Sequence, residues 1–179
     1  MAHYLFASNR LGFREWKSND LPVMAAINAD PLVMEFFPSI QSVSQTEDFI
    51  KRNQKMFADN KFCYFAVDLL ETNKLIGFIG LSQMTFDSPF TPCVDIGWRI
   101  GFQYWNHGYA TEGANRCLQY AFDDLKLKEV FSVAPLVNTK SIAIMRKIGM
   151  IQQSQFEHPL LTNYEHLKKC ALFYMANGL

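Results

Sequence analysis

The run Ile100-Gly-Phe-Gln-Tyr-Trp-Asn-His-Gly-Tyr-Ala-Thr-Glu112 is the part of this chain whose residue types and spacing point most directly to chemistry. A strand enters a loop there, and the loop opens a helix at about Ala110. The first amides of a helix have no partners within it, and the aligned peptide dipoles put partial positive charge at the same end. Such an end binds anions, phosphate above all. Gly108 lets a phosphate approach the backbone, and Ala110 keeps the first turn small. The Gly-Lys-Ser/Thr ending of a nucleotide P-loop is missing, and one glycine in the turn does not make a dinucleotide fingerprint. Taken alone, the feature reads more simply as a glycine turn before a helix.

A second run, Asn138-Thr-Lys-Ser-Ile-Ala-Ile-Met-Arg-Lys147-Ile-Gly149-Met150, follows a strand that ends near Pro135. Asn138 stands at the cap position of a short helix over Ser141 to Ile148, and Gly149 supplies the left-handed stop. A cap and a ligand contact are compatible roles for Asn138.

Periodicity and caps define the elements that must position these runs. Pro22 suits the first turn of a helix over about Leu21 to Asn28, capped within Ser18-Asn-Asp20. Ser44-Gln-Thr-Glu47 has the capping-box pattern, and Phe49, Ile50, Met56 and Phe57 follow at helical spacing. A third helix spans Ala110 to about Leu125. Strands are expected over Leu11 to Trp16, Phe62 to Leu70, Leu75 to Thr85, Cys93 to Ile100, Glu129 to Pro135, Met150 to His158 and Leu167 to Met175. Within Cys93 to Ile100, alternation puts Val94, Ile96, Trp98 and Ile100 on one face and Cys93, Asp95, Gly97 and Arg99 on the other. The strand–helix–strand unit from Cys93 to Pro135 demands two parallel strands joined by a right-handed crossover, whereas the hairpins demand antiparallel ones. The expected class is α+β, with a mixed sheet and helices packed on it.

With 179 residues, the chain fits one domain over 1–179. Seventeen basic residues balance seventeen acidic ones, so nucleic-acid binding would need a local patch and is not expected. Hydrophobic residues at 49% and aromatics at 15% argue for a packed core rather than disorder. No apolar run approaches the roughly 20 residues of a membrane helix, and Met1 to Arg10 lacks the features of a leader, so no membrane partner is expected. Cys63, Cys93, Cys117 and Cys170 are widely spaced, which suits free thiols in a reducing cytoplasm. They and His3, His107, His158 and His166 form no metal-ligand spacing, so no metal is expected.

In the second run, Asn-x-x-Ser followed by Lys-x-Gly-Met resembles the second signature of the GNAT superfamily of acyl-CoA N-acyltransferases. Trp105-Asn-His-Gly-Tyr-Ala110 is similar to that superfamily's pyrophosphate loop. Arg10-Leu-Gly-Phe-Arg14, Asp30-Pro-Leu-Val-Met-Glu-Phe-Phe-Pro38, Ile96-Gly-Trp-Arg-Ile100 and Glu157-His-Pro159 look like the RimJ/RimL-like branch, that of ribosomal-protein N-terminal acetyltransferases. The resemblance runs from about residue 8 to 175. It departs at Trp105, where many members carry Gln or Arg, and at Asn106 and His107, where a glycine and a basic residue are frequent.

The resemblance implies a GNAT fold with a mostly antiparallel twisted sheet of about seven strands, a splay between the two parallel ones and about four helices. It implies acetyl-CoA as cosubstrate and direct transfer of its acetyl group to a primary amine, either a protein N-terminus or a small molecule. A module that binds acyl-CoA without turnover is the rival. The backbone of Trp98, Arg99 and Ile100 would meet the pantetheine arm. Trp105, Asn106, His107, Gly108, Tyr109, Ala110 and Thr111 would hold the pyrophosphate, with Asn138 and Ser141 completing the site. Ser141 would protonate the leaving thiolate. Asp95 would be the base, through a water, although it can equally pair with Arg99 on its own strand face. Glu35 and Glu112 are weaker alternatives. Cys93 is discounted as a nucleophile. Phe36, Phe37 and Phe90 lie near the expected acceptor cleft. A homodimer is left open.

Overall fold

The computed structural model describes residues 4–178; Met1, Ala2, His3 and Leu179 lie outside the described residues. The chain runs β1 (Phe6–Ala7), β2 (Leu11–Arg14), α1 (Leu21–Asn28), α2 (Val43–Asn60), β3 (Tyr64–Leu69), β4 (Lys74–Met84), β5 (Cys93–Ile100), α3 (Tyr109–Gln119), β6 (Glu129–Pro135), α4 (Thr139–Lys147), β7 (Ile151–Glu157) and β8 (Lys169–Ala176). The strands form one sheet in the order β1-β2-β3-β4-β5-β6-β8-β7. Only the β5–β6 pair is parallel; every other neighbour is antiparallel.

The sheet therefore has eight strands where seven are expected from the sequence. The extra one, β1, is a two-residue strand paired at Phe6↔Phe13 and Ala7↔Gly12, too short to show a period. The capping box of α2 also lies two residues earlier than expected. Ser42 Oγ accepts from the Gln45 amide at 3.2 Å, and Gln45 Oε1 accepts from the Ser42 amide at 2.8 Å. The same pattern recurs at Ser44 and Glu47, and the earlier pair wins because Val43 is already helical. The third helix opens at Tyr109, and its last stretch, Tyr120–Asp124, widens into a π-helical turn.

Apolar faces meet in two clusters. Leu11, Phe13, Phe65, Ile79 and Ile96 pack with Ala114, Cys117 and Leu118 of α3 and with Ile142 and Met145 of α4. Met24 and Ile27 of α1 and Phe49 and Ile50 of α2 pack with Trp16, Ala66, Leu75 and Phe78. Among the described residues, no helix is long and apolar enough to cross a membrane.

A bulge places the end of β5. Val67 faces Gly77 and Asp68 faces Leu75, so Ile76 is an extra residue on β4. Gly77 takes φ 143°, and a Cβ there would collide with the Arg99 carbonyl. The Ile76 carbonyl is turned to accept from Gly101 at 2.9 Å, at the point where the chain leaves β5 for the loop. Gly77→Ala should therefore lower stability by about 1–3 kcal/mol from backbone strain. Gly77→Val should lower it further, both read as a fall in the urea midpoint.

Candidate active site

β5 and β6 are bridged at a single residue pair, Asp95↔Phe131. Past it the strands part, and the gap is lined by Gly97, Trp98 and Arg99 on one side and Ser132 to Pro135 on the other. Two cavities meet there. The larger, about 530 Å³, lies along the N-termini of α3 and α4; the smaller, about 320 Å³, is lined by Phe49, Tyr64, Phe78 and Asp95. Phe36, Phe37, Trp98, Arg99, Asn138 and Ser141 belong to both.

The larger cavity ends at the start of α3. Gly108 precedes that helix with φ 78° and offers no side-chain cap. The Glu112 amide returns to the Gly108 carbonyl at 3.0 Å, so the amides of Tyr109, Ala110 and Thr111 have no intrahelical partner. Two lysines line the same cavity. Lys140 Nζ lies 4.6 Å from the centre of the Trp105 ring, and Lys147 lines the same wall. Trp105 is fixed by its indole N–H, which donates to the Ile100 carbonyl at 2.8 Å. A strap holds the loop: Arg10 donates through Nε to Glu112 at 2.7 Å and through Nη2 to the His107 carbonyl at 3.0 Å. Unpaired amides beside two lysines fit a pyrophosphate.

Trp98, Arg99, Ile100, Trp105, Asn106, Gly108, Tyr109, Ala110, Thr111, Asn138 and Ser141 all line this cavity. His107 does not; its ring stacks on Tyr109 with centroids 5.5 Å apart. Asn138 is the cap of α4, its Oδ1 accepting from the Ser141 amide at 3.1 Å. Among the described residues, nothing engages the Ser141 hydroxyl, which borders both cavities.

Asp95 closes the smaller cavity and is 7% exposed. Burial pushes its carboxyl up to about 7, against hydrogen bonds from Tyr64 and from the Val133 amide that pull it down. Tyr64 donates its phenol O–H to Oδ2 at 2.5 Å. Its ring lies flat against Gly97, where a Cβ would come within 3.1 Å of it. The alternative pairing of Asp95 with Arg99 does not form. Residues four apart on a strand are separated by about 13 Å along it, and Arg99 Nη1 instead donates to Asn28 Oδ1 at 2.6 Å.

The other candidates lie elsewhere. Glu35 is exposed and borders neither cavity. Glu112 is engaged by Ser8 and Arg10; burial would raise its pKa, and those hydrogen bonds outweigh burial and lower it. Cys93 borders neither cavity, and burial pushes its thiol up to about 11. Phe90 packs on Phe86, Phe131 and Phe156, away from both. Among the described residues, no cluster of three or more His, Cys, Asp or Glu is placed to hold a metal ion. Neither Tyr64 nor Lys140 is among the residues that the sequence singles out. The only available signal for Lys140 was its place in the first turn of a helix facing the loop.

Residues 10–151 match the acetyltransferase (GNAT) domain family. The chain is 29% identical over 153 residues, 84% of each chain, to an uncharacterized N-acetyltransferase, YnaD, of Bacillus subtilis. Its fold is similar to that of a GNAT-family acetyltransferase from Bacillus anthracis, with TM-score 0.81, 24% identity and coverage of 97% and 98% of the two chains. It is also similar to a ribosomal-protein-S5-alanine acetyltransferase from Vibrio fischeri, with TM-score 0.77, 17% identity and coverage of 97% and 96%.

The raised pKa of Asp95 has a consequence for stability. Between the unfolded value near 4 and the folded value of about 7, the native state keeps a proton that the unfolded chain has lost. Stability therefore falls as pH rises across that window. Asp95→Asn removes the fall, so its melting temperature should exceed that of the wild type at pH 8 and converge on it at pH 4.5. The ceiling on the difference is about 4 kcal/mol, and thermal unfolding across that range measures it.

Proposed function

Because this chain belongs to the GNAT acetyltransferase family, we propose that it moves the acetyl group of acetyl-CoA directly to a primary amine, with no covalent enzyme intermediate. The observation that carries this reading is the meeting of the two cavities at the parted β5–β6 strands, with Ser141 on their shared wall and Asp95 on the far side. The larger cavity takes the cosubstrate, its pyrophosphate on the free amides of α3 beside Lys140 and Lys147 and its pantetheine arm along Trp98 to Ile100. The smaller cavity takes the amine.

In the transfer, a bond forms between the amine nitrogen and the acetyl carbonyl carbon, and the carbon–sulfur bond breaks. The amine proton passes to Asp95, directly or through a water. The departing thiolate receives a proton from the direction of the Ser141 hydroxyl. An amide of β5 that faces the gap polarises the carbonyl oxygen. A base near 7 is matched to an α-amine, whose pKa is about 8, and poorly matched to a lysine at about 10. That match supports a protein N-terminus or a small α-amine as acceptor. A polyamine suits the smaller cavity less, since Asp95 is the one carboxylate on its wall and Arg99 is a cation. Four free thiols support a reducing compartment, the cytoplasm.

Thiol release from acetyl-CoA against N-terminal peptides, amino acids, aminoglycosides and polyamines tests the reading. Turnover on one class should show kcat/KM rising with pH through an apparent pKa near 7. Asp95→Asn should abolish that limb and lower kcat by about 10²-fold or more, the worth of general base catalysis. Ser141→Ala should lower kcat with little change in either KM. Binding of CoA without turnover on any amine would favour an acyl-CoA-binding module, and failure to bind CoA would overturn the assignment. Lys140→Ala should raise the KM for acetyl-CoA severalfold and leave kcat within about twofold.

A further inference from the structure

Arg14 and Arg99 are buried arginines, 6% and 8% exposed, with opposite surroundings. Arg14 is gripped by two carboxylates, with four hydrogen bonds of 2.7 to 2.9 Å to Asp20 and Asp68. Arg99 forms no ion pair among the described residues. Its Nη1 donates to Asn28 Oδ1, and Nε is buried without a partner. Asn28 is a neutral acceptor held in that orientation, because its own amide donates to Thr46 Oγ1 at 3.0 Å. The guanidinium lies 4.1 Å from the centre of the Phe37 ring and 5.4 Å from that of Phe78, both of which line the smaller cavity. Burial lowers its pKa to about 10, which leaves it cationic at neutral pH.

A desolvated cation without a counterion is unfavourable unless something that binds there supplies the charge. With Nη1 on Asn28 and Nε enclosed by protein, Nη2 is left to donate a charge-assisted hydrogen bond to a carboxylate oxygen. Arg99 and Asp95 lie on the same face of β5, on either side of Gly97. Phe36, Phe49, Tyr64 and Phe78 make one part of the smaller cavity's wall aromatic, and Ile96, Ala134 and Met145 add apolar surface.

We propose that Arg99 binds a carboxylate of the acceptor, and that the acceptor is an α-amino acid with an apolar side chain, lying in the smaller cavity against the Tyr64 ring with its amine toward Asp95. This rests on the acetyltransferase reading of the same site. The bond changes are those already described, and the products are the N-acetyl amino acid and CoA with a free thiol. The carboxylate is held and unchanged.

The test compares acetyl transfer to free leucine, methionine and phenylalanine with transfer to their amides, to spermidine and to a peptide beginning with alanine. The free acids should exceed their amides in kcat/KM by about 10- to 100-fold, the worth of a charge-assisted contact. Arg99→Gln should erase that preference by raising the KM of the free acids and not that of their amides. Arg99→Lys should retain part of it. Circular dichroism and thermal unfolding establish that each variant is folded. Equal rates on acids and amides, or a preference for spermidine or the peptide, would overturn the proposal. An Arg99→Gln change that spares the acid preference would overturn it as well and leave Arg99 as an anchor for Phe37. If no amine turns over, the transferase reading fails. Calorimetric titration of phenylalanine into the CoA-loaded protein then decides this one: binding lost in Arg99→Gln supports it, and no binding in the wild type overturns it.

Discussion

One parallel strand pair, joined at Asp95 and Phe131 and open beyond, is the feature on which the rest of the site depends. The gap exists because each of its strands is held from outside. β4 pairs with β5 along its whole length, from Met84↔Cys93 to Gly77↔Ile100. β8 does the same for β6, from Glu129↔Ala176 to Pro135↔Cys170. Both strands keep their register while their inner edges are free, and those edges carry backbone groups that require partners. The chain order then places the helices. A strand–helix–strand crossover returns α3 so that it begins where β5 ends, and α4 begins where β6 ends. Two helix N-termini thus come to the carboxyl ends of the two strands that part, which is where open α/β arrangements bind ligands.

Buried charge is distributed unevenly over this frame. Arg14, Asp20 and Asp68 satisfy one another and tie β2, β3 and the start of α1 together. Asp95 and Arg99 are about as deeply buried, and among the described residues neither has a counterion. Burial moves them in opposite senses, raising the acid and lowering the base, because in each it disfavours the charged form. A stability-optimised core would pair such groups or replace them with apolar ones. Both lie on one face of one strand, beside a cavity, which is the placement that the proposed transfer requires.

What was legible in the sequence follows the range of the interactions. Leu21–Asn28, Cys93–Ile100 and Glu129–Pro135 read to the residue, because proline placement and alternation act over a few positions. Asn138 and Ser141 read for the same reason, since a side-chain cap meets an amide three residues on, and Gly108 read as the glycine turn before α3. Tyr64 reaches Asp95 across 31 residues and Arg99 reaches Asn28 across 71, and no local pattern encodes either contact. The alternative Asp95–Arg99 pair was a local inference about a non-local question. A shared strand face allowed it, and the axial rise along the strand forbids it. The two-residue β1 and the earlier cap of α2 went unseen because, at that length, the pattern is degenerate.

The parting of β5 and β6 orphans ladder groups, and side chains replace the missing bonds. Ser132 Oγ donates to the Ile96 carbonyl at 2.8 Å. The Asp95 carboxylate accepts from the Val133 amide. Without the Ser132 contact, a buried carbonyl would lack a partner next to the bridge, a loss of about 1–3 kcal/mol. A short acid suits this task, since Asp95 must turn back to the neighbouring strand while Tyr64 reaches it over the bare Cα of Gly97. The carboxylate that seals the closed end of the gap is therefore the same group whose burial brings its pKa to about 7. Opening the strands and burying a carboxylate beside the opening are one structural event, so moving that carboxylate would also move the point at which the sheet divides.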